Sequence, residues 1–184
     1  MPELLKKPKA LTLVTIGVNF YVHGKSGCGT MEQNIILLFG SESEERLVSV
    51  ASAQALALAL GSPTLWFWHK SGPIYLSSLE ALLSHESPFT QEFLPAGLPL
   101  FKDIVEALAS KQAKMHSFVL ATHGGKGENG YVQALLEKHG HPFTGSDAKS
   151  SERAFNKIST KEHLANFTIK MAPHLVFDVP SNNI

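Results

Sequence analysis

The chain has 184 residues, 43% of them hydrophobic and 17% charged. That is enough for one well-packed globular domain, and the composition is that of a folded protein rather than a disordered one. Lys+Arg and Asp+Glu balance at 16 each, so nothing marks a surface for nucleic acid or an anionic membrane, and the composition points to a small molecule or a protein partner. A single cysteine, Cys28, excludes an internal disulfide framework and fits a reducing cytoplasm. The nine histidines show no metal-site spacing, and no metal is expected.

The first thirty residues resemble a secretory leader in outline, with Lys6, Lys7 and Lys9 ahead of an apolar run from Ala10 to Val22 and Ser26-Gly27-Cys28 after it. Asn19 interrupts that run, and His23 and Lys25 make the approach to the cysteine polar. No stretch reaches the roughly 20 apolar residues of a membrane span, so a cytoplasmic location is expected. Within this segment, Leu11 to Ile16 reads as a strand, and Met31 opens a second beginning.

From Asn34 the pattern is orderly. Ile35 to Phe39 is an uninterrupted apolar run, the signature of a strand buried on both faces of a parallel sheet. Gly40 ends it, and a polar loop over 41–46 precedes a helix carrying Leu47, Val48, Ala51, Ala55 and Leu58, with Gly61 at its end. Thr64 to Trp68 is a second strand. The proline-bearing segment over 70–99 predicts a short hairpin, a small helix and loop. A helix over 101–109 follows, then a buried strand over 117–121.

That strand runs into His123-Gly124-Gly125-Lys126-Gly127-Glu128-Asn129-Gly130. A helix with Val132, Leu135 and Leu136 inward stops at Gly140, and Pro142 to Gly145 predicts a short strand and turn. Ser146 or Asp147 then N-caps one long helix to about Leu164, with Ala154, Phe155 and Ile158 on its face. A last strand is expected over 174–179. Alternation of strand and helix predicts a three-layer, Rossmann-like α/β fold with a parallel sheet. In such folds ligands bind beyond the carboxyl ends of the strands, where both polar loops, 40–46 and 123–130, should lie.

Each loop has two readings. Carboxylates at Glu44 and Glu45 would bind an ammonium group or simply favour the helix dipole. The glycine-rich loop is a binding loop or a tight turn, with His123 at the strand end and Glu128 fixing the loop from inside. Its spacing matches neither the P-loop nor the dinucleotide fingerprint. Lys157, read from the sequence alone, is a solvated helix lysine. Gly24-Lys25-Ser26 lacks the earlier glycine of a phosphate-binding loop, since Asn19 stands there.

Taken in order, these segments resemble D-alanine–D-alanine ligases. Ile36 to Gly40, Glu45-Arg46 and Val48-Ser49-Val50 resemble the family's opening strand, small-residue loop and E-R-x-V-S-L helix start. His123-Gly124 through Gly130, then Gln133, Leu136 and Glu137, resemble its H-G-x-x-G-E-D-G…Q…L-E segment. Pro142 to Ser146 resembles the P-Y-T-G-S step, and Ser151, Asn156-Lys157 and Thr160-Lys161 resemble the helix that follows it. Phe39, Asn129, Asp147 and Asn156 depart from the family pattern.

The resemblance spans about 34 to 177 and implies the N-terminal, substrate-side (pre-ATP-grasp) domain of an ATP-dependent ligase of peptidoglycan precursor synthesis. ATP phosphorylates one D-alanine carboxylate, and the amine of a second D-alanine attacks the acyl phosphate. By the same resemblance Glu45 binds the ammonium of the first D-alanine, with Glu44 as the alternative because the loop is one residue longer than usual. His123 lies near that substrate's carboxylate, and Lys157 reaches the nucleotide phosphates.

The expected division is an atypical extension over 1–30, the ligase N-terminal domain over 31–172, and the start of a next domain over 173–184. Leu13 to Gly17 faintly resembles the end of a muramate–alanine ligase, which would make the chain a junction piece. ATP and Mg²⁺ are expected in the complete enzyme, not bound tightly to this chain. The expected partners are D-alanine, the ATP-grasp domains of the same enzyme, and a second copy in a homodimer. The chain is expected to be an inactive fragment, the alternatives being a stand-alone D-alanine-binding or partner-binding module and a different ATP-grasp ligase.

Overall fold

A computed structural model of the chain describes residues 34–177. The expected strand over 11–16, Cys28 and the extension over 1–30 lie outside the described residues. The elements run β1 (Asn34–Gly40), α1 (Arg46–Leu60), β2 (Thr64–Trp68), β3 (Ile74–Ser77), α2 (Leu79–Leu83), α3 (Ile104–Ala109), a 3₁₀ turn (Ala113–Met115), β4 (His116–Leu120), α4 (Gly125–Glu128), α5 (Tyr131–His139), α6 (Ala148–Phe155) and α7 (Lys157–Leu164). Among the described residues no helix is long and apolar enough to cross a membrane.

The sheet order is β3-β2-β1-β4. β1 pairs in parallel with β2 (Leu38 opposite Trp66) and with β4 (Leu38 opposite Leu120). β3 is the exception to the expected parallel sheet, pairing antiparallel to β2. The five residues between them are too few for the crossover that a parallel partner needs, and only a hairpin fits. His69 and Pro73 close that turn, the His69 N–H donating to the Pro73 carbonyl at 2.8 Å.

The apolar run of β1 is buried on both faces, as expected. Ile36 and Leu38 enter a core with Trp66, Trp68, Phe118, Ile104 of α3 and Val132 and Leu136 of α5. Leu37 and Phe39, pointing the other way, pack with Val50, Ala53 and Ala57 of α1, Leu82 of α2 and Phe93. Strand alternation therefore produces the three layers directly. Ala53 and Ala57, fully buried, let α1 lie close to the sheet.

Four expectations differ from what is seen. The helix over 101–109 begins only at Ile104, where the Asp103 carboxylate caps it by accepting from Glu106 N–H at 2.8 Å. Phe101 stays extended and bridges to Ile74. The long helix to Leu164 is two helices. Asp147 caps the first, and Asn156 (φ −86°, ψ 105°) breaks the run because its side chain takes the Ile158 and Ser159 N–H groups at 3.1 and 3.0 Å. An asparagine that caps cannot also continue a helix. Phe155 and Ile158, expected to pack inward, are exposed. Residues 174–177 form no strand, and 178–179 lie outside the described residues.

The carboxyl ends of β1 and β4 are joined through α1. The buried Ser49 hydroxyl accepts from Gly40 N–H at 2.6 Å and donates to the Ala121 carbonyl at 2.7 Å. Removing it would leave a buried donor and a buried acceptor unpaired, at a cost of about 1–3 kcal/mol. Ser49→Ala should accordingly lower the urea midpoint of the chain, and an unchanged midpoint would show that this bridge is not needed.

Candidate functional site

The neighbours of β1 fix where a ligand can sit. The chain runs outward from β1 to β2 and β3 on one side, then returns to β4 on the other, so the order reverses at the β1–β4 boundary. Open α/β sheets bind ligands in the crevice at such a switch point. The loop after β1 (41–45) and the loop after β4 (121–124) both lie there.

The first loop is built on two serines, Ser41 and Ser43. Ser41 is fully buried in a left-handed conformation (φ 130°). Its N–H donates to the Trp68 carbonyl at 2.8 Å, and its hydroxyl reaches the His123 carbonyl at 3.5 Å. The Ser43 hydroxyl accepts from Glu45 N–H at 3.1 Å. Glu45 then starts α1, but its side chain makes no capping hydrogen bond.

The carboxylates of this loop are not equivalent. Glu42 pairs with Lys126 at 3.0 Å. Glu44, almost fully exposed, lies 3.4 Å from Arg46 Nη1. Glu45 has no cation partner among the described residues. Its carboxylate lies over Gly124, where a β-carbon would collide with Glu45 Oε2 and Ser43 Oγ. Gly124 also sits at φ 66°, so both backbone and space require glycine.

Arg46 holds the outer side of the loop. Its Nε donates to both Glu92 oxygens at 3.0 and 3.1 Å, and its Nη1 donates to the Ser43 carbonyl at 3.1 Å. Hydrogen bonding from Arg46, helped by Lys70 at 3.2 Å, holds the Glu92 carboxyl down at about 2. Glu92 comes from the segment after α2, a partner 46 residues away that no local pattern announces.

The glycine-rich segment is partly helical: α4 is a single turn within it. Gln133 Nε2 and the Thr122 hydroxyl both donate to the Gly127 carbonyl at 3.1 Å and tie that turn down. His123 leaves β4 with Nε2 2.9 Å from Ser52 Oγ of α1 and Nδ1 3.7 Å from Glu128 Oε1. Between the loops and α6–α7 lies an open cleft of about 890 Å³, lined by Ser43, Glu45, Glu128 and Lys157 among others. The structure thus brings Glu45, Glu44 and Lys157 to one cleft, and His123 stands behind Glu128 at its edge.

A model of the D-alanine–D-alanine ligase N-terminus matches residues 34–146, more than half of the chain. The chain belongs to this family. It is 38% identical over 103 residues to a D-alanine–D-alanine ligase of Citrifermentans bemidjiense, covering 56% of this chain and 32% of that one. With the ligase of Methylacidiphilum infernorum it shares 34% over 131 residues, covering 71% and 33%. Among solved structures, the D-alanine–D-alanine ligase of Aeromonas hydrophila aligns with a TM-score of 0.54 and 28% identity, over 78% of this chain and 50% of that one. The ligase of Coxiella burnetii aligns at 0.56 and 25%, over 73% and 42%. The chain thus spans between a third and a half of the length of these relatives.

Against the family pattern, the ligase-like opening supplies both Glu45 and Ser49. Ser49 is a structural bridge that sequence reasoning left without a role, and Ser52 was missed entirely. Its only signal is its place three residues after Ser49, one helical turn on.

Glu92 makes a pH prediction. Its folded value is depressed below the ordinary 4.5, so its contribution is complete above that value and is lost as pH falls through about 2. About half of the side chain is exposed, which limits the contribution to about 1 kcal/mol or less. The stability gap between the wild type and Glu92→Gln should be present at neutral pH and close on acidification toward pH 2. A gap independent of pH would contradict the Arg46–Glu92 clamp.

Proposed function

We propose that this ligase-family chain holds the first D-alanine of an ATP-dependent D-alanine–D-alanine ligation in peptidoglycan precursor synthesis in the cytoplasm. The observation that carries the proposal is the Glu45 carboxylate. It lies against Gly124 at the switch-point cleft, without a cation of its own among the described residues, while Glu42 and Glu44 are paired. An unpaired carboxylate at a site bordered by backbone and hydroxyl groups suits a primary ammonium. The same pairing favours Glu45 over Glu44 as the ligand.

In this reading Glu45 binds and orients the amino group, and His123 sits on the carboxylate side of the substrate. Lys157, the first residue of α7, reaches toward the phosphates of the nucleotide. Lys157 is the one cation among the described residues that line the cleft, and no described group of His, Cys, Asp or Glu residues is arranged to hold a metal ion. The residues present suit a single phosphate contact and do not fit a full nucleotide or Mg²⁺ site. No step through ATP or metal is therefore assigned to them. Their part is to bind and position the amino acid. The remainder of a ligase of this family, with its ATP-grasp domains, is the partner that would carry out phosphoryl transfer.

Calorimetric titration tests the reading. D-alanine should bind the full chain in the millimolar range, Glu45→Gln should abolish binding, and Glu44→Gln should leave it nearly unchanged. Equal binding by the wild type and Glu45→Gln would overturn the assignment.

A further inference from the structure

Two side chains from separate elements converge on the His123 ring. Ser52 Oγ, on α1, lies 2.9 Å from Nε2, and Glu128 Oε1, on α4, lies 3.7 Å from Nδ1. The backbone next to the ring is fixed as well, because the His123 carbonyl is met by the Ser41 hydroxyl at 3.5 Å.

The chemistry of the two neighbours decides where the ring carries its proton. An ionised carboxylate only accepts, so the nitrogen that faces Glu128 is favoured when it bears hydrogen. In the neutral ring the lone pair then falls on Nε2, where the Ser52 hydroxyl donates. We infer that Ser52 and Glu128 are positioning residues for His123. They hold the neutral imidazole as the Nδ1–H tautomer, commit Nε2 to α1, and leave Nδ1–H as the donor edge available to a ligand. This rests on the amino-acid reading of the cleft and specifies which atom of His123 serves it.

The distances divide the work. The Ser52 contact is a full hydrogen bond, whereas 3.7 Å to Glu128 is beyond hydrogen-bond reach. Glu128 therefore attracts the Nδ1 proton without saturating it. The ring is about one-third exposed and its neighbour Glu128 lines the cleft, so an acceptor such as a ligand carboxylate oxygen or a water would approach from that side. A serine suits the anchoring role because its hydroxyl both donates and accepts. If the ring takes up a second proton, the hydroxyl reverses its sense and the imidazole stays where it is.

The tautomer is directly measurable in the ¹⁵N-labelled full chain without ligand, by long-range ¹H–¹⁵N correlation at about pH 8.5, well above the ordinary imidazole range. The wild type should show Nδ1 protonated and Nε2 carrying the lone pair, the reverse of the form favoured by a free neutral histidine. Ser52→Ala should move the ring toward that free form, and Ser52→Thr should keep the wild-type pattern. Alanine is the better helix former, so α1 should persist in the variant.

An Nε2–H ring in the wild type would overturn the inference, as would a Ser52→Ala spectrum identical to wild type. In a D-alanine titration Ser52→Ala should weaken binding about fivefold, the loss of one ordinary hydrogen bond, while Ser52→Thr binds as wild type. A changed tautomer with unchanged affinity would overturn the positioning role. Failure of the wild type to bind D-alanine would overturn the proposed function and leave the ligand-free tautomer result standing, so the two failures are distinguishable.

Discussion

The site depends on the buried Ser49 hydroxyl, which ties the end of β1 to the end of β4 through the first turns of α1. Two neighbouring parallel strands end at a switch point with backbone groups that have no further strand to pair with. One side chain takes the Gly40 N–H and gives a proton to the Ala121 carbonyl, so both strand ends are satisfied and α1 is held over the gap. Burial makes this bridge consequential, since unpaired polar groups in a core are costly. The residues three before and three after it on the chain are Arg46 and Ser52, which steady the loop and the histidine respectively.

The loops are then arranged by what surrounds each carboxylate. Lys126 takes Glu42, and Arg46 takes Glu44 and Glu92, leaving Glu45 against the glycine of the other loop. In a cleft this open, exposed ion pairs contribute little to stability. Their effect here is selective: among the described residues they leave one carboxylate of the loop, Glu45, without a cation partner.

Much of the fold was legible because burial acts on local patterns. Ile35 to Phe39 announced a strand covered on both sides, and the Val132 and Leu136 spacing announced α5. The family motifs carried Glu45, His123 and Lys157 to one side of the sheet. What escaped depends on competition or distance. Asn156 looks like any polar helix residue until its side chain takes two backbone N–H groups and splits the predicted helix. Phe155 and Ile158 carried a core-like pattern but lie on helices with no buried face among the described residues. Glu92 meets Arg46 across 46 residues, and the serine partners of the site are small residues with no periodicity of their own. The antiparallel β3 follows from a short connection: the hairpin expected within 70–99 instead joins β3 to β2, which the reading of a wholly parallel sheet did not provide for.

The cleft as an amino-acid site is tested most directly by following the backbone amides of the ¹⁵N-labelled full chain during a D-alanine titration. Progressive, saturable shifts confined to the amides of 41–46 and 121–128 are expected, with L-alanine producing weaker ones. Shifts confined to distant elements such as α2 or α3, or no saturable shift at all, would contradict the assignment of the site to Glu45 and the Gly124 loop.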